Sequence, residues 1–196
     1  VAFVLIAYSI ILHELGHAFT ARAFGDDTAA RRGKLTFHPV EHIDPVGTLI
    51  LPALQLALAG RVFLLWAAPV PVVVENLRPR IAGELCVTLA GVTVNACIAV
   101  LMAILLGVPR LVPDGSQLQF ALFATMVSNV WLTVLNLVPV PPTDGSRVLR
   151  MAMPPSVRAS FDQVGANGFM ILMILIWSGV LDRVLVPIIR TIVGGL

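Results

Sequence analysis

The chain begins with the apolar run Ala2-Phe-Val-Leu-Ile-Ala-Tyr-Ser-Ile-Ile-Leu12, which continues directly into His13-Glu14-Leu15-Gly16-His17. On a helix, two histidines four residues apart lie on one face, so both imidazoles can reach a single zinc ion. Ionisable side chains inside an apolar membrane span are costly and usually functional. The stretch therefore predicts an apolar helix that carries a metal site.

Glu14 occupies a position that suits a catalytic base. It is rotated by about 100° from His13 around the helix. There it can reach a water in an open coordination position of the metal, which is the general-base arrangement of metalloproteases. A metal-ion transporter and a catalytically inactive protein that binds membrane partners are the alternative interpretations. The sequence has one cluster of ionisable residues and no internal repeat, which disfavours transport. The presence of Glu14 disfavours an inactive protein.

The composition places the chain in a membrane. Of its 196 residues, 58% are hydrophobic and 12% are charged, with a mean hydropathy of +0.93. Soluble domains carry about 25% charged residues. The composition therefore disfavours a soluble enzyme and a disordered tail, and a net charge of +2 gives no reason to expect a nucleic-acid partner. We expect an integral membrane protein whose surroundings are the lipid bilayer.

Crossing the hydrocarbon core takes about 20 mostly apolar residues. The sequence therefore predicts an all-α polytopic protein, a single domain over residues 1–196 with about five transmembrane helices. The predicted spans are residues 1–24, 47–67, 85–108, 117–138 and 163–181. Arg61 lies inside the second span, and we expect its long side chain to snorkel or to form an ion pair.

The segment Pro69-Val-Pro71-Val-Val-Val74 separates the second and third predicted spans. Prolines at alternate positions followed by β-branched residues are typical of an edge strand or an extended hairpin. The sequence thus predicts a short membrane-associated β-hairpin or edge strand here. Such an edge could pair with an extended substrate by β-addition.

Asp144 is the strongest candidate for a third metal ligand. It follows a long uncharged run and ends the sequence Asn136-Leu-Val-Pro-Val-Pro-Pro-Thr-Asp144 before Gly145. The prolines interrupt the helix at membrane depth, which is tolerated only where protein or a cavity covers the backbone. The alternative is an Asp-Gly turn in which Asp144 caps the following helix.

Two further groups of polar residues invite a functional interpretation. His38-Pro-Val-Glu-His42 fits an inverted zinc motif, but that motif needs a helix, which the proline after His38 permits only if the helix begins there. A structural role for His42, or a place at the rim of the active site, is favoured. Asn129 and Asn136 nearly share one helix face, and for Asn129 we favour a hydrogen bond that joins helices.

The two motifs together resemble the site-2 protease family of intramembrane zinc metalloproteases, in its short bacterial and archaeal form without an appended domain. The similarity covers roughly residues 5–150. Beyond the two motifs, it rests on residues 25–29 (GDDTA), 42–48 (HIDPVGT), 66–72 (WAAPVPV) and 90–95 (AGVTVN). The chain departs from the family where it has Val92 and Thr143, since proline and leucine are usual at those positions.

The resemblance implies a role for each motif residue. His13, His17 and Asp144 would bind one zinc ion, Glu14 would activate the attacking water, and Asn95 and Asn136 would lie near the substrate carbonyl. The substrate would be a single-pass transmembrane protein, cleaved within a prokaryotic cell membrane. The chain starts at Val1 in place of Met, with no basic region before the apolar run and no recognisable signal peptide. We therefore expect a chain that is trimmed or that begins inside a longer frame.

Overall fold

The structure is a computed structural model that describes residues 1–60, 62, 65–108 and 110–196. Within these residues the fold is helical. The helices are α1 (Ala2–Ala23), α2 (Thr28–Arg31), α3 (Leu51–Ala59), α4 (Arg80–Leu106), α5 (Gln117–Leu137), α6 (Asp144–Ala152), α7 (Pro155–Gly165), α8 (Gly168–Trp177) and α9 (Val180–Gly195). The short turns are 3-10 helices at Pro39–His42 and Val74–Asn76 and a π-helix at Pro45–Ile50.

Three of the described helices, α1, α4 and α5, are long and apolar enough to cross a membrane. Each coincides with a predicted span, because a mostly apolar run of about 20 residues can satisfy its backbone in lipid only as a helix. The prediction of an apolar helix that carries His13-Glu14-Leu15-Gly16-His17 is confirmed, since all five residues lie in α1.

The other two predicted spans have a different form. Over residues 163–181 the chain forms α7 and α8, which are bent by 65° at the break between them. In the described part of the second predicted span, the π-helix and α3 form a shorter apolar helix, Pro45–Leu58. Helix α3 ends at Ala59 and is followed by Gly60 with a φ of +66°. Arg61, which we expected to snorkel, lies outside the described residues.

The prediction of a hairpin or edge strand over residues 69–74 is wrong, since the described residues contain no β-strand. The segment is extended, but its N–H groups do not face another strand. Val70 donates to the carboxylate of Glu14 (2.9 Å) and Val73 to that of Asp26 (2.7 Å). Side-chain carboxylates thus take the N–H groups of Val70 and Val73, which a strand would pair, and the alternate prolines supply no N–H.

By its contacts the chain divides into two compact units, one of residues 6–91 and the other of residues 1–5 and 92–196. In the first unit, a buried cluster of Ala21, Leu77 and Val87 packs with Phe24, Val72 and Val74. In the second unit, α5 packs against α6 and α9, and α8 packs against α7 and α9. The prediction of a single domain stays a prediction.

Candidate functional site

His13 and His17 bring their imidazoles together on the buried side of α1. Their Nε2 atoms lie 3.1 Å apart, and the rings meet edge to face with centroids 4.7 Å apart. Two imidazole nitrogens bound to one tetrahedral zinc ion, each about 2.0–2.1 Å from the metal, would have a similar spacing. The pair therefore fits two ligands of one metal ion, as the sequence predicts.

The opposite side of the His17 ring is held by the backbone. Nδ1 lies 2.7 Å from the carbonyl oxygen of Val87 in α4. Because a carbonyl only accepts, Nδ1 carries the hydrogen and donates it, which leaves a lone pair on Nε2 of the neutral ring. Metal-binding histidines usually have such a second bond, which fixes the tautomer and the ring plane. His17 is thus oriented for binding through Nε2.

Gly91 makes room for the two rings. A Cβ at this position would lie 2.5 Å from Cε1 of His13 and 2.5 Å from Nε2 of His17, so any other residue would displace them. A glycine inside a helix costs roughly 0.5–1 kcal/mol relative to alanine. The close approach of the imidazoles gives a physical reason for bearing that cost.

Glu14 points to the extended segment that follows α3. Its Oε2 accepts the hydrogen bond from Val70 N–H at 2.9 Å, and the side chain is half-buried. Among the residues that the structure describes, no hydrogen bond to Oε1 occurs. The carboxylate is therefore anchored through one oxygen, while the other can accept a proton from a water.

In the second unit, Asp144 is the first residue of α6 and is buried. The alternative interpretation, in which Asp144 caps this helix, is wrong, because Thr143 is the residue that precedes the helix. Thr143 donates its hydroxyl to Val140 O at 3.0 Å and accepts from Ser146 at its own carbonyl at 2.7 Å. Those bonds fold the start of α6, so the Asp144 carboxylate is not needed for capping.

Gly145 holds the start of α6 close to the end of α5. A Cβ on Gly145 would lie 2.3 Å from the carbonyl oxygen of Leu137, and a backbone atom cannot move aside as a flexible side chain can. The Asp-Gly pair thus has a steric cause: the aspartate begins the helix and the glycine lets that helix touch α5.

The asparagines predicted to assist catalysis differ in their surroundings. Asn95 is fully buried in α4. Asn136 donates Nδ2 to Leu132 O of its own helix at 3.0 Å and is half-buried. Asn129, expected to join helices, donates Nδ2 to Thr125 O of the same helix at 2.8 Å and is fully buried. Their contribution to a site stays a prediction.

The inverted motif around His38 and His42 forms no α-helix. Pro39–His42 is a single 3-10 turn that His38 precedes, and His38 is exposed. His42 is buried and donates Nε2 to the carbonyl of Thr36 at 2.8 Å. The preference for a structural role of His42 agrees with this arrangement, since one ring nitrogen closes the loop.

The chain is similar to bacterial proteins that are longer than it and about one third identical to it over the aligned residues. The Bacillus subtilis protein named "Putative zinc metalloprotease YwhC" is 34% identical over an alignment of 189 residues, and the alignment covers 93% of the chain and 82% of that protein. The chain belongs to this zinc metalloprotease family. No family model matches the chain, and no solved structure matches it.

Other members of the family are mycobacterial. Proteins named "Putative zinc metalloprotease Rip2" from Mycolicibacterium smegmatis and Mycobacterium tuberculosis are 34% and 35% identical to the chain, each over 89% of it. The chain spans 66% and 65% of their length, just under two thirds.

Three contributors to the site could not be assigned from the sequence. Val87 acts through its carbonyl and Val70 through its N–H, and neither backbone group has a sequence signal. Gly91 carried a weak signal, because a glycine within an apolar helix often marks a close approach.

Proposed function

We propose that the chain is an intramembrane zinc protease of the site-2 type, which hydrolyses peptide bonds in single-pass transmembrane proteins. The observation that carries the proposal is the histidine pair of α1, with Nε2 atoms 3.1 Å apart on a helix apolar enough to span a membrane. Family membership supports zinc and proteolysis, since the relatives are named as zinc metalloproteases. The apolar helices support a multi-pass protein of a bacterial cell membrane.

His13, His17 and Asp144 are the proposed ligands of one zinc ion. Two neutral imidazoles and a carboxylate form a donor set that zinc accepts, with the fourth position left for water or substrate. The burial of all three side chains supports this assignment, because buried ionisable groups in an apolar chain usually bind a partner or a metal. When bound, zinc supplies Lewis acidity that polarises the scissile carbonyl and activates a water.

Glu14 is the proposed general base. Oε1 takes a proton from the attacking water and passes it to the leaving amine nitrogen, while Oε2 keeps its bond to Val70 N–H. Asn95 and Asn136 are proposed to donate to the oxygen that gains negative charge. Nδ2 of Asn136 has a second hydrogen besides the one given to Leu132, so it can act without breaking its helix contact.

The test compares the unmodified chain with Glu14→Gln in detergent, on a panel of single-pass transmembrane proteins. Glutamine keeps the acceptor for Val70 but cannot take a proton. Cleavage should fall by about 10²- to 10⁴-fold, the usual contribution of a general base, while zinc per chain stays unchanged. Undiminished cleavage by Glu14→Gln would contradict the proposal, as would the absence of cleavage by the unmodified chain with zinc bound.

A further inference from the structure

Asp26 is a buried carboxylate to which neither the zinc site nor the catalytic step assigns a role. It lies just after α1 and is 1% exposed. Its Oδ1 accepts from Thr28 N–H (3.1 Å), from the Thr28 hydroxyl (2.5 Å) and from Asn76 Nδ2 (2.9 Å). Its Oδ2 accepts from Val73 N–H at 2.7 Å. Asp26 therefore ties the start of α2 to the end of the extended segment.

The charge of Asp26 agrees with this role. Burial raises the pKa of the carboxyl, but the hydrogen bonds from Asn76, Thr28 and Val73 outweigh burial and hold the pKa below its ordinary value. All four bonds are donated to the carboxylate, and bonds to an ionised acceptor are about twice as strong as neutral ones. An amide at this position would turn an NH₂ group toward at least one donor.

The extended segment connects Asp26 to Glu14. Val73, held by Asp26, is three residues from Val70, whose N–H donates to Glu14 Oε2 at 2.9 Å. Pro71 lies between them, and its ring fixes φ near about −65°. Val72 packs against the buried cluster of Ala21, Leu77 and Val87. Because the φ of Pro71 is fixed and the side chain of Val72 is packed, a displacement of Val73 also displaces Val70.

We infer that Asp26 is a positioning residue for Glu14: it fixes Val73, and thereby holds Val70 N–H on the Glu14 carboxylate. The inference rests on the proposed function for the importance of Glu14, but the link itself consists of the hydrogen bonds from Val73 to Asp26 and from Val70 to Glu14, which can be tested without a substrate. A carboxylate held through Oε2 presents Oε1 in one orientation. Without that bond the side chain samples other rotamers, in which Oε1 no longer meets the attacking water.

Amide hydrogen exchange on the full chain in detergent micelles tests the link without a substrate. Residues 69–73 contain only three amide hydrogens, those of Val70, Val72 and Val73, which makes the segment easy to resolve. Asp26→Asn should speed exchange at Val73 and at Val70 by about 10-fold or more. Asp27→Asn is the matched control, since Asp27 is exposed and pairs with Arg22 at the surface; it should leave both amides protected.

Glu14→Ala tests whether the hydrogen bond at Val73 forms independently of the one at Val70. It should speed exchange at Val70 and leave Val73 protected, because Asp26 still holds the far end. Faster exchange at Val73 with unchanged protection at Val70 in Asp26→Asn would overturn the inference.

Turnover supplies the second readout. Asp26→Asn should lower kcat by about 10- to 100-fold and leave KM and zinc per chain nearly unchanged. Unchanged zinc excludes a general loss of folding, because unfolded chains would lower the apparent kcat and the zinc content together. The exchanged pair Asp26→Asn with Asn76→Asp restores a donor and an acceptor between the two side chains, and should recover part of the loss. Normal kcat in a folded Asp26→Asn chain would overturn the inference.

The two proposals fail in different ways. A chain that shows the coupled exchange of Val70 and Val73 but cleaves nothing would contradict the proposed function and leave the Asp26 link standing. A chain that cleaves, loses cleavage in Glu14→Gln and keeps full kcat in Asp26→Asn would retain the proposed function and refute the positioning role.

Discussion

Nδ1 of His17 donates a hydrogen bond of 2.7 Å to the carbonyl oxygen of Val87, 70 residues further along the chain. The bond sets the tautomer of the ring and turns Nε2 toward His13. Val87 is one turn before Gly91 on α4, so the same helix orients His17 and gives both imidazoles their space. The metal-binding potential of α1 thus depends on α4 as well as on its own motif.

Gly91→Ala tests that dependence. The new methyl group would lie 2.5 Å from ring atoms of His13 and His17, so the imidazoles must move apart. We expect zinc affinity to fall by about 10-fold or more, as for other disturbances around metal ligands, measured by competition with a chelator. Gly194→Ala is the control, because nothing lies within 4 Å of its Cβ position. Unchanged affinity in Gly91→Ala would refute the close packing.

Gly145→Ala tests the contact between α5 and the start of α6. A methyl group 2.3 Å from the Leu137 carbonyl forces the backbone apart, which we expect to cost about 1–3 kcal/mol of unfolding free energy. The thermal midpoint in detergent and the zinc content should both fall. Gly165→Ala provides the comparison, since its Cβ would be in ordinary contact, 3.5 Å from Pro141. Equal behaviour of the two variants would contradict this explanation.

Val70→Pro removes the N–H that binds Glu14 and keeps a side chain of similar size. We expect kcat to fall by about 10-fold or more, with zinc per chain unchanged. Val70→Ala retains the N–H and should keep most of the activity. The comparison is made by initial rates on one substrate, and an Ala variant as slow as the Pro variant would show that the side chain, not the N–H, matters.

The acid stability of the chain should depend on Asp26. Because hydrogen bonds hold the pKa of Asp26 in the folded chain below the ordinary value of 3.8, its contribution is complete above that value. The contribution is lost as pH falls from about 4 through the folded pKa. Thermal unfolding between about pH 6 and about pH 3 should therefore depend less on pH in Asp26→Asn. The thermal midpoint of Asp27→Asn should depend on pH as that of the unmodified chain does. If the midpoint of Asp26→Asn fell as steeply toward low pH as that of the unmodified chain, the prediction would be wrong.

The long helices could be predicted from the sequence because local chemistry determines them. A mostly apolar run must satisfy its own backbone in lipid, and this rule predicted α1, α4 and α5 to within about five residues of their ends. The prolines before Asp144 likewise marked the end of α5 and the start of α6.

The extended segment could not be predicted in the same way. The pattern of Val70 and its neighbouring prolines is that of an edge strand, but the partners of its N–H groups are Glu14, 56 residues earlier, and Asp26, 47 residues before Val73. No local pattern contains those partners. The bend between α7 and α8 is similar, since Gly168 there lies against Pro141, where a Cβ would be 2.5 Å away.

The zinc content of the purified chain tests the central claim most directly. Elemental analysis is made on the unmodified chain, on His17→Ala and on Asp144→Ala, each after the same dialysis against a weak chelator. We expect about one zinc per unmodified chain and a sharp loss in both variants. Full zinc in Asp144→Ala would remove that residue from the site, and no zinc in the unmodified chain would contradict the account as a whole.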